Sequence, residues 1–427
     1  MVYKMAPYEE RLTPNLVLRT VRNERDVDRF AAFNTQINDA SQGMTCANLL
    51  RHHPQITYDD FFFVEDESTG EVVSTICLIP WRCLYEGVQL HVAMLEMVAT
   101  HPAYRHHGLV RAQIKRFHQV VAERKFDFSI IEGIPYYYRQ YGYAYATDHW
   151  RSDALPAWQI PGLPVEQSAA YQLRAATLDD VPALTALYEE NMAALPISTQ
   201  RSADYWRYLL QAAQYPVRLV EDVHTHSAVG YICTLPSPRG IRVIESGIAD
   251  YAVGLAVLQQ LKQETNGEIQ LGWPQTNLLV QLGRSLGSAP TPGDQWLLRL
   301  HDVAQFLTKI GPVLERRLAA SSCADLTQDL CINLFRHAFV LQFAAGKLQN
   351  VRAAGFVDAS MGADGGDLCI PPDAFVRLVF GYRTLAELGD AWPDIVVKAQ
   401  SRYLIDVLFP KVQSYFWLPY LYCGPIA

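Results

Sequence analysis

The chain has 427 residues, half of them apolar and 19% charged, with a formal net charge of −8. That length suits two or three domains with sizeable cores, and the acidic balance excludes nucleic acid as the main partner. The eight cysteines are scattered without a Cys-x-x-Cys pair. Neither a zinc site nor a disulfide framework is indicated, and free thiols fit a reducing compartment.

The N-terminal stretch has no apolar leader core, and no run reaches membrane-spanning length. The expectation is a cytoplasmic protein with no membrane partner. Leu16-Val-Leu-Arg19, followed by Asp26-Val27 and an apolar-periodic run, predicts a strand, an acidic cap region and a helix. Met94 to Thr100 predicts an apolar strand on which Glu96 alternates with Met94 and Val98. His101-Pro-Ala-Tyr-Arg105-His-His-Gly108 is then a tight turn. Val110, Ile114, Phe117 and Val121 fall on one face of a following helix. Such a turn aims successive N–H groups at an anion, with the helix N-terminus behind them. Gly108 lets a backbone approach closely and take φ > 0. The histidines near it form no His-Glu-x-x-His pattern, so no metal site is expected. A second strand, Phe128 to Glu132, leads to Tyr136-Tyr-Tyr138-Arg-Gln-Tyr141-Gly142-Tyr143.

The Arg105-x-x-Gly108-x-Val110 turn and the Tyr138 to Tyr143 segment together resemble the GCN5-related N-acetyltransferase (GNAT) superfamily, which uses acetyl-CoA. The superfamily pattern ends in a small residue where this chain has Val110. The resemblance implies that amides of His106, His107, Gly108, Leu109 and Val110, beside Arg105, hold the CoA diphosphate. It implies that the main chain at Val98 and Thr100 pairs with the pantetheine arm, in the manner of an added strand. It also implies that Tyr138, four residues before Gly142, is the general acid. A phenol with a pKa near 10 keeps its proton at neutral pH and suits a thiolate leaving group. Tyr136, Tyr137 and Tyr141 compete if the register slips. For the base, Glu96 inside an apolar strand should be desolvated and raised in pKa. It reads equally as a core carboxylate paired with an arginine. Glu132 is a second candidate.

Residues 171–188 repeat the opening. Leu173-Arg174 aligns with Leu18-Arg19, and Asp180 with Asp26, as in an internal duplication. This copy reaches Tyr251-Ala-Val-Gly254 where the anion turn belongs, without its arginine. Pro156 to Pro164 reads as a linker. Strands such as Phe339 to Phe343 and a helix near Pro372 to Phe380 follow a Gly/Ser/Pro-rich loop and a strand at Trp296. The predicted fold class is α/β (α+β): tandem acetyltransferase-like mixed sheets flanked by helices, then a sterol-carrier-protein-like α+β domain. The predicted division is an active domain at 1–155, a degenerate copy at 165–300 and the last domain at 301–427. This plan resembles the enhanced intracellular survival (Eis) family. That resemblance implies a homo-oligomer, a multi-amine acceptor of the aminoglycoside kind, and the terminal carboxylate of Ala427 as a third candidate base. The rival function is a non-enzymatic lipid carrier, which needs neither Arg105, Gly108 nor Tyr138.

Overall fold

The computed structural model describes residues 8–424, leaving out 150, 163, 165–169, 273 and 359–364. The architecture is mixed α/β, with three sheets flanked by helices. The first half supplies β1 (Glu9–Arg11), β2 (Leu16–Thr20), β3 (Phe61–Asp66), β4 (Glu71–Tyr85), β5 (Val88–Thr100), β6 (Phe128–Ile131) and β7 (Ala144–His149). Phe61, Phe62, Phe63 and Val64 of β3 are all sealed, as expected of a central strand covered on both faces. Helix α1 (Glu24–Ile37) starts where the Asn23 side chain accepts from the Asp26 amide, and α2 (Ala40–His52) where Asp39 accepts from the Gln42 amide. Each cap satisfies a first-turn donor. Val27 and Phe30 of α1 pack on one face of the sheet. Ile114, Phe117, Val120 and Val121 of α3 (Leu109–Glu123) pack on the other.

The second half supplies β8 (Ser152–Pro156), β9 (Tyr171–Ala175), β10 (Ile197–Thr199), β11 (Val217–Asp222), β12 (Ala228–Ser237), β13 (Gly240–Ile248), β14 (Glu268–Gly272), β15 (Ala289–Pro290) and β16 (Asp294–Leu300). The first sheet runs β1-β2-β3-β4-β5-β6-β16-β7, and the second β15-β8-β14-β13-β12-β11-β9. The two orders repeat one another, with one strand exchanged each way. β16 enters the first sheet beside β6 with Leu297 opposite Ile131. β8 enters the second beside β14 with Asp153 opposite Leu271. The halves are thereby locked together by backbone hydrogen bonds, not only by side-chain contact.

The repeat extends to side chains. Arg19 lies 2.7 Å from Asp26 and 2.8 Å from Glu65. Arg174 lies 2.8 Å from Asp180 and 2.7 Å from Glu221. The arginine side chains differ in exposure, 10% for Arg19 against 36% for Arg174. Removing one partner of a buried ion pair leaves the others uncompensated, whereas exposed pairs contribute little. Arg19→Met is therefore expected to destabilise the protein by roughly 3–5 kcal/mol, and Arg174→Met by about 1 kcal/mol or less. Chemical denaturation of both variants checks this, and equal losses would contradict it.

The third sheet is β19 (Lys347–Gly355), β18 (Ala338–Ala344), β17 (Gln328–Asn333), β20 (Leu368–Cys369) and β21 (Val396–Val397), in that spatial order. Two helices of the last third meet the first sheet: Lys309, ending the helix Val303–Lys309, lies 2.6 Å from Asp127 just before β6, and the Tyr85 hydroxyl of β4 donates to the Val379 carbonyl of the helix Pro372–Val379 at 2.5 Å. After Leu408 the chain turns back between the two larger sheets. β22 (Ser414–Tyr415) pairs in parallel with β10. Phe416, Trp417, Leu418 and Tyr420 are all buried there. No helix among the described residues is long and apolar enough to cross a membrane.

Candidate active site

The site begins where two strands part. β5 and β6 run in parallel and pair only through Val92–Phe128, Ala93–Ser129 and Met94–Ile130. β5 continues to Thr100, so its last stretch has no partner on that side among the described residues, and a wedge opens. A bulge shapes it: Thr75 faces Ala99, but Cys77 faces Glu96, and Met97 takes up the extra residue with φ 54°. Bulges bend a strand and re-aim its side chains. The simple alternation expected from sequence is therefore broken. Met94 and Met97 share one core, while Val98 packs against the α3 core; Glu96 and Val98 do not share a face. Val98 and Thr100 both lie on the unpaired reach, half-buried, with their main chain at the wedge edge. The Thr100 hydroxyl is 2.9 Å from that of Ser74, which donates to Gln113 of α3 at 2.7 Å. That chain of bonds holds the helix over the strand.

The turn closes the wedge at one end. The His101 amide donates to Val73 at 2.9 Å, and the Tyr104 hydroxyl donates to Asp66 at 2.8 Å. His106 and Gly108 have φ 68° and 76°. A Cβ on Gly108 would meet nothing within 4 Å. Backbone conformation, not crowding, calls for glycine there. Gly108 also has no side chain to cap α3. The amides of Leu109, Val110 and Arg111 have no acceptor within the helix. Arg105, His106, His107 and Gly108 are exposed. Leu109 is 3% exposed; its side chain anchors the turn in the core, and only its N–H is available outward. The result is a cluster of free amides at a helix N-terminus beside Arg105 and Arg111, which fits a diphosphate.

The tyrosines are separated by their surroundings. Tyr136 is 77% exposed. Tyr137 and Tyr141 face one another with hydroxyls 3.4 Å apart; burial and that contact push Tyr137 up to about 12. Tyr138 is only 5% exposed. Its ring lies so close to Gly133 that a Cβ there would come within 2.3 Å of it. Burial, then the nearby charge of Glu96, push its phenol far above the ordinary value. It is held protonated.

Glu96 stands at the mouth of the wedge, beyond the last β5–β6 pair. Burial, then the like charge of Glu132, push it up to about 8; the Tyr420 hydroxyl and the Met97 amide pull the other way. Its Oε1 is buried with no hydrogen-bond partner among the described residues. Among the described residues no arginine pairs with it, so they do not make it a core ion pair. Glu132, after β6, lies 3.1 Å from the His149 imidazole. A cavity of about 50 Å³ is bounded by Glu132, His149, Trp296, Trp417, Leu418 and Tyr420. Ala427 lies outside the described residues. Sequence reasoning missed Tyr420 and His149. Neither stands in a motif; the tail and the end of β7 bring them to the wedge only through the tertiary fold.

The second copy has the same frame with its openings closed by protein. Asp250 caps the helix Tyr251–Glu264 by accepting from the Ala252 and Val253 amides. A carboxylate thus occupies the position an anion would take. Beside the partly paired β13, the Ser246 carbonyl accepts from Asn277 at 2.7 Å and from Asn191 at 2.9 Å. A larger cavity, about 790 Å³, lies elsewhere, against the β4–β5 hairpin, with Trp81, Arg82, Tyr188, Met192 and Tyr205 in its wall. None of the groups at the wedge lines it, so its size does not make it the reacting site.

Residues 30–146 match the family model of an acetyltransferase (GNAT) domain. The chain carries an acetyltransferase domain. The matched range spans the wedge, the anion turn and Tyr138. The protein is an acetyltransferase enzyme, of a kind that takes an acyl-CoA and an amine-bearing acceptor. The whole fold is shared with solved structures. A conserved protein of unknown function from Enterococcus faecalis V583 has TM-score 0.70 at 14% identity, over 94% of this chain and 98% of that one. A GCN5-related N-acetyltransferase from Anabaena variabilis has TM-score 0.68 at 16% identity, over 94% and 99%. Eis1 from Mycobacterium abscessus has TM-score 0.61 at 18% identity, over 94% and 99%. No curated protein matches the sequence.

Proposed function

We propose that the chain transfers the acetyl group of acetyl-CoA to a primary amine by direct attack on the thioester, as a member of an Eis-like branch. The observation that carries this is the open wedge, with uncapped amides at one end and Tyr138 and Glu96 at the other. Amides from His106 to Val110, with Arg105, hold the diphosphate; the Val98 and Thr100 main chain aligns the pantetheine arm. When bound, acetyl-CoA supplies an activated carbonyl. Glu96 takes the proton of the attacking amine. Tyr138 donates its proton towards the departing sulfur. The terminal carboxylate of Ala427 is the competing base. Residues 1–155 are the active domain, 165–300 a degenerate copy, and 301–427 a sterol-carrier-like domain that walls the acceptor side. A multi-amine acceptor of the aminoglycoside kind and a homo-oligomer rest on the Eis likeness alone, and a cytoplasmic setting on the unpaired cysteines.

Free thiol released from acetyl-CoA in the presence of an amine panel tests the activity. Calorimetry tests the assignment of the cofactor to one copy. One CoA per chain is expected, with affinity weakened at least tenfold, about 1.4 kcal/mol, by Gly108→Val. A β-branched residue is a poor fit to a positive φ. Two sites per chain, or full binding by Gly108→Val, would overturn the assignment.

A further inference from the structure

We propose that Arg299, carried into the first sheet on the exchanged strand β16, is a positioning residue for Tyr138; this rests on Tyr138 being the acid. A strand of the second half thereby sets a group of the site built by the first. β16 lies against β6 with Arg299 opposite Ser129. Side chains alternate along a strand, so Leu297, Arg299 and His301 project to one face. Leu297 shares a core with Tyr138 and Tyr143, and a Cβ on Gly133 would come within 3.0 Å of it. The Arg299 guanidinium donates to the Tyr141 carbonyl, at the end of the short turn Tyr137–Tyr141 that carries Tyr138. It also donates to the His118 ring of α3 at 2.9 Å. The Ser129 hydroxyl donates to that of Tyr143 at 2.9 Å and lies 2.7 Å from His301 Nε2. One face of β16 is thus the bed on which the tyrosine segment lies.

The turn needs a hold from outside itself. Tyr136 and Gly142, which flank it, have φ 69° and 84°. A bulky residue at positive φ is disfavoured and persists only where its surroundings fix it. Within the segment, the Gly142 amide donates to the Arg139 carbonyl at 3.0 Å and the Tyr143 amide to the Tyr138 carbonyl at 3.4 Å. The Tyr141 carbonyl accepts from Arg299 instead. The guanidinium lies beside Gly142, where a Cβ would stand 3.6 Å from Nη1. A guanidinium presents its donors in a rigid fork, so one side chain grips the turn and α3 together. Burial, then the Arg299 charge, push His118 down to about 3; the ring is neutral and a nitrogen can accept. Arg299 therefore joins the helix behind the anion turn to the segment that carries the acid, and fixes the spacing between them.

The test is a double-mutant cycle on kcat in the full chain. Arg299→Met keeps an unbranched side chain and removes its donors. With Tyr138 in place, kcat should fall roughly 10–100-fold, the scale of a misplacement near 1 Å. The acetyl-CoA KM and the CoA stoichiometry should change little, because the buried face of α3 and the Ser74–Gln113 bond at 2.7 Å still seat the helix. In the Tyr138→Phe background the same change should cost about twofold or less, since the proton it places is already gone. Equal losses in the two backgrounds, or a loss carried by KM alone, mean a structural role only and overturn the proposal. If Arg299→Met does not fold, Arg299→Gln goes through the same cycle. If neither folds, Arg299 is structural and the proposal fails. Tyr138→Phe alone separates this from the premise. Near-normal turnover there removes the acid reading and takes the proposal with it. A slow Tyr138→Phe on which the Arg299 loss is simply added leaves the acid reading standing and ends the role of Arg299.

Discussion

Tyr138→Phe is expected to lower kcat by roughly 10²–10⁴-fold with little change in CoA affinity. The substitution removes one oxygen from a side chain whose ring packs between Gly133, Tyr137 and Tyr143. The packing surface is kept, so the fold should persist. What is lost is a proton held beside the wedge. Burial and the nearby Glu96 charge press the phenol well above its ordinary value. It is therefore protonated throughout the working range, and no basic limb should arise from its ionisation. Tyr137→Phe and Tyr141→Phe remove a mutual contact at the surface and should cost far less. Steady-state rates of the three variants, with circular dichroism to confirm folding, check the ordering. Near-normal turnover by folded Tyr138→Phe would remove its role as acid.

The motifs were legible because each rests on local chain geometry. Arg105 to Val110 is a turn, and turns are set by neighbours in sequence. The glycine at 108 carries its positive φ visibly. The duplication was also legible, since Arg19–Asp26 and Arg174–Asp180 are short-range pairs that recur at the start of each half, seven and six residues apart. Three features were not legible. The Met97 bulge depends on β4 and β5 pairing out of step, which neither strand announces alone; the alternation of Glu96 with Val98 failed for that reason. The exchange of β8 and β16 places Asp153 beside Leu271 and Leu297 beside Ile131. Strands equally apolar fit either sheet, and only the whole topology decides. Tyr420 reaches the cavity beside Glu132 and His149 from the far end of the chain. In sequence it is one aromatic among several in a tail; Tyr205 and Tyr208, whose hydroxyls donate to the Pro419 and Tyr420 carbonyls, sit on a helix (Ala203–Gln211) with no motif of its own.

Glu96→Gln should lower kcat/KM by roughly 10²–10⁴-fold at mildly basic pH, and the pH profile says why. Burial and Glu132 push the Glu96 carboxyl up to about 8. A base with a raised pKa is inactive while protonated. Activity should therefore rise with pH through an acid limb near that value and be lost as pH falls below it. Such a base suits an amine substrate, being ionised once the limb is passed yet basic enough to hold an amine proton. Glu132→Gln offers the second arm. It removes the like charge that opposes ionisation of Glu96, so the limb should move to lower pH. If Glu132 were itself the base, its loss would abolish the limb instead of moving it. If the terminal carboxylate were the base, deleting Ala427 would remove activity, while Glu96→Gln would leave the limb near 8 untouched. The three carboxylates thus give three different pH profiles, and one series of rate measurements against pH tells them apart.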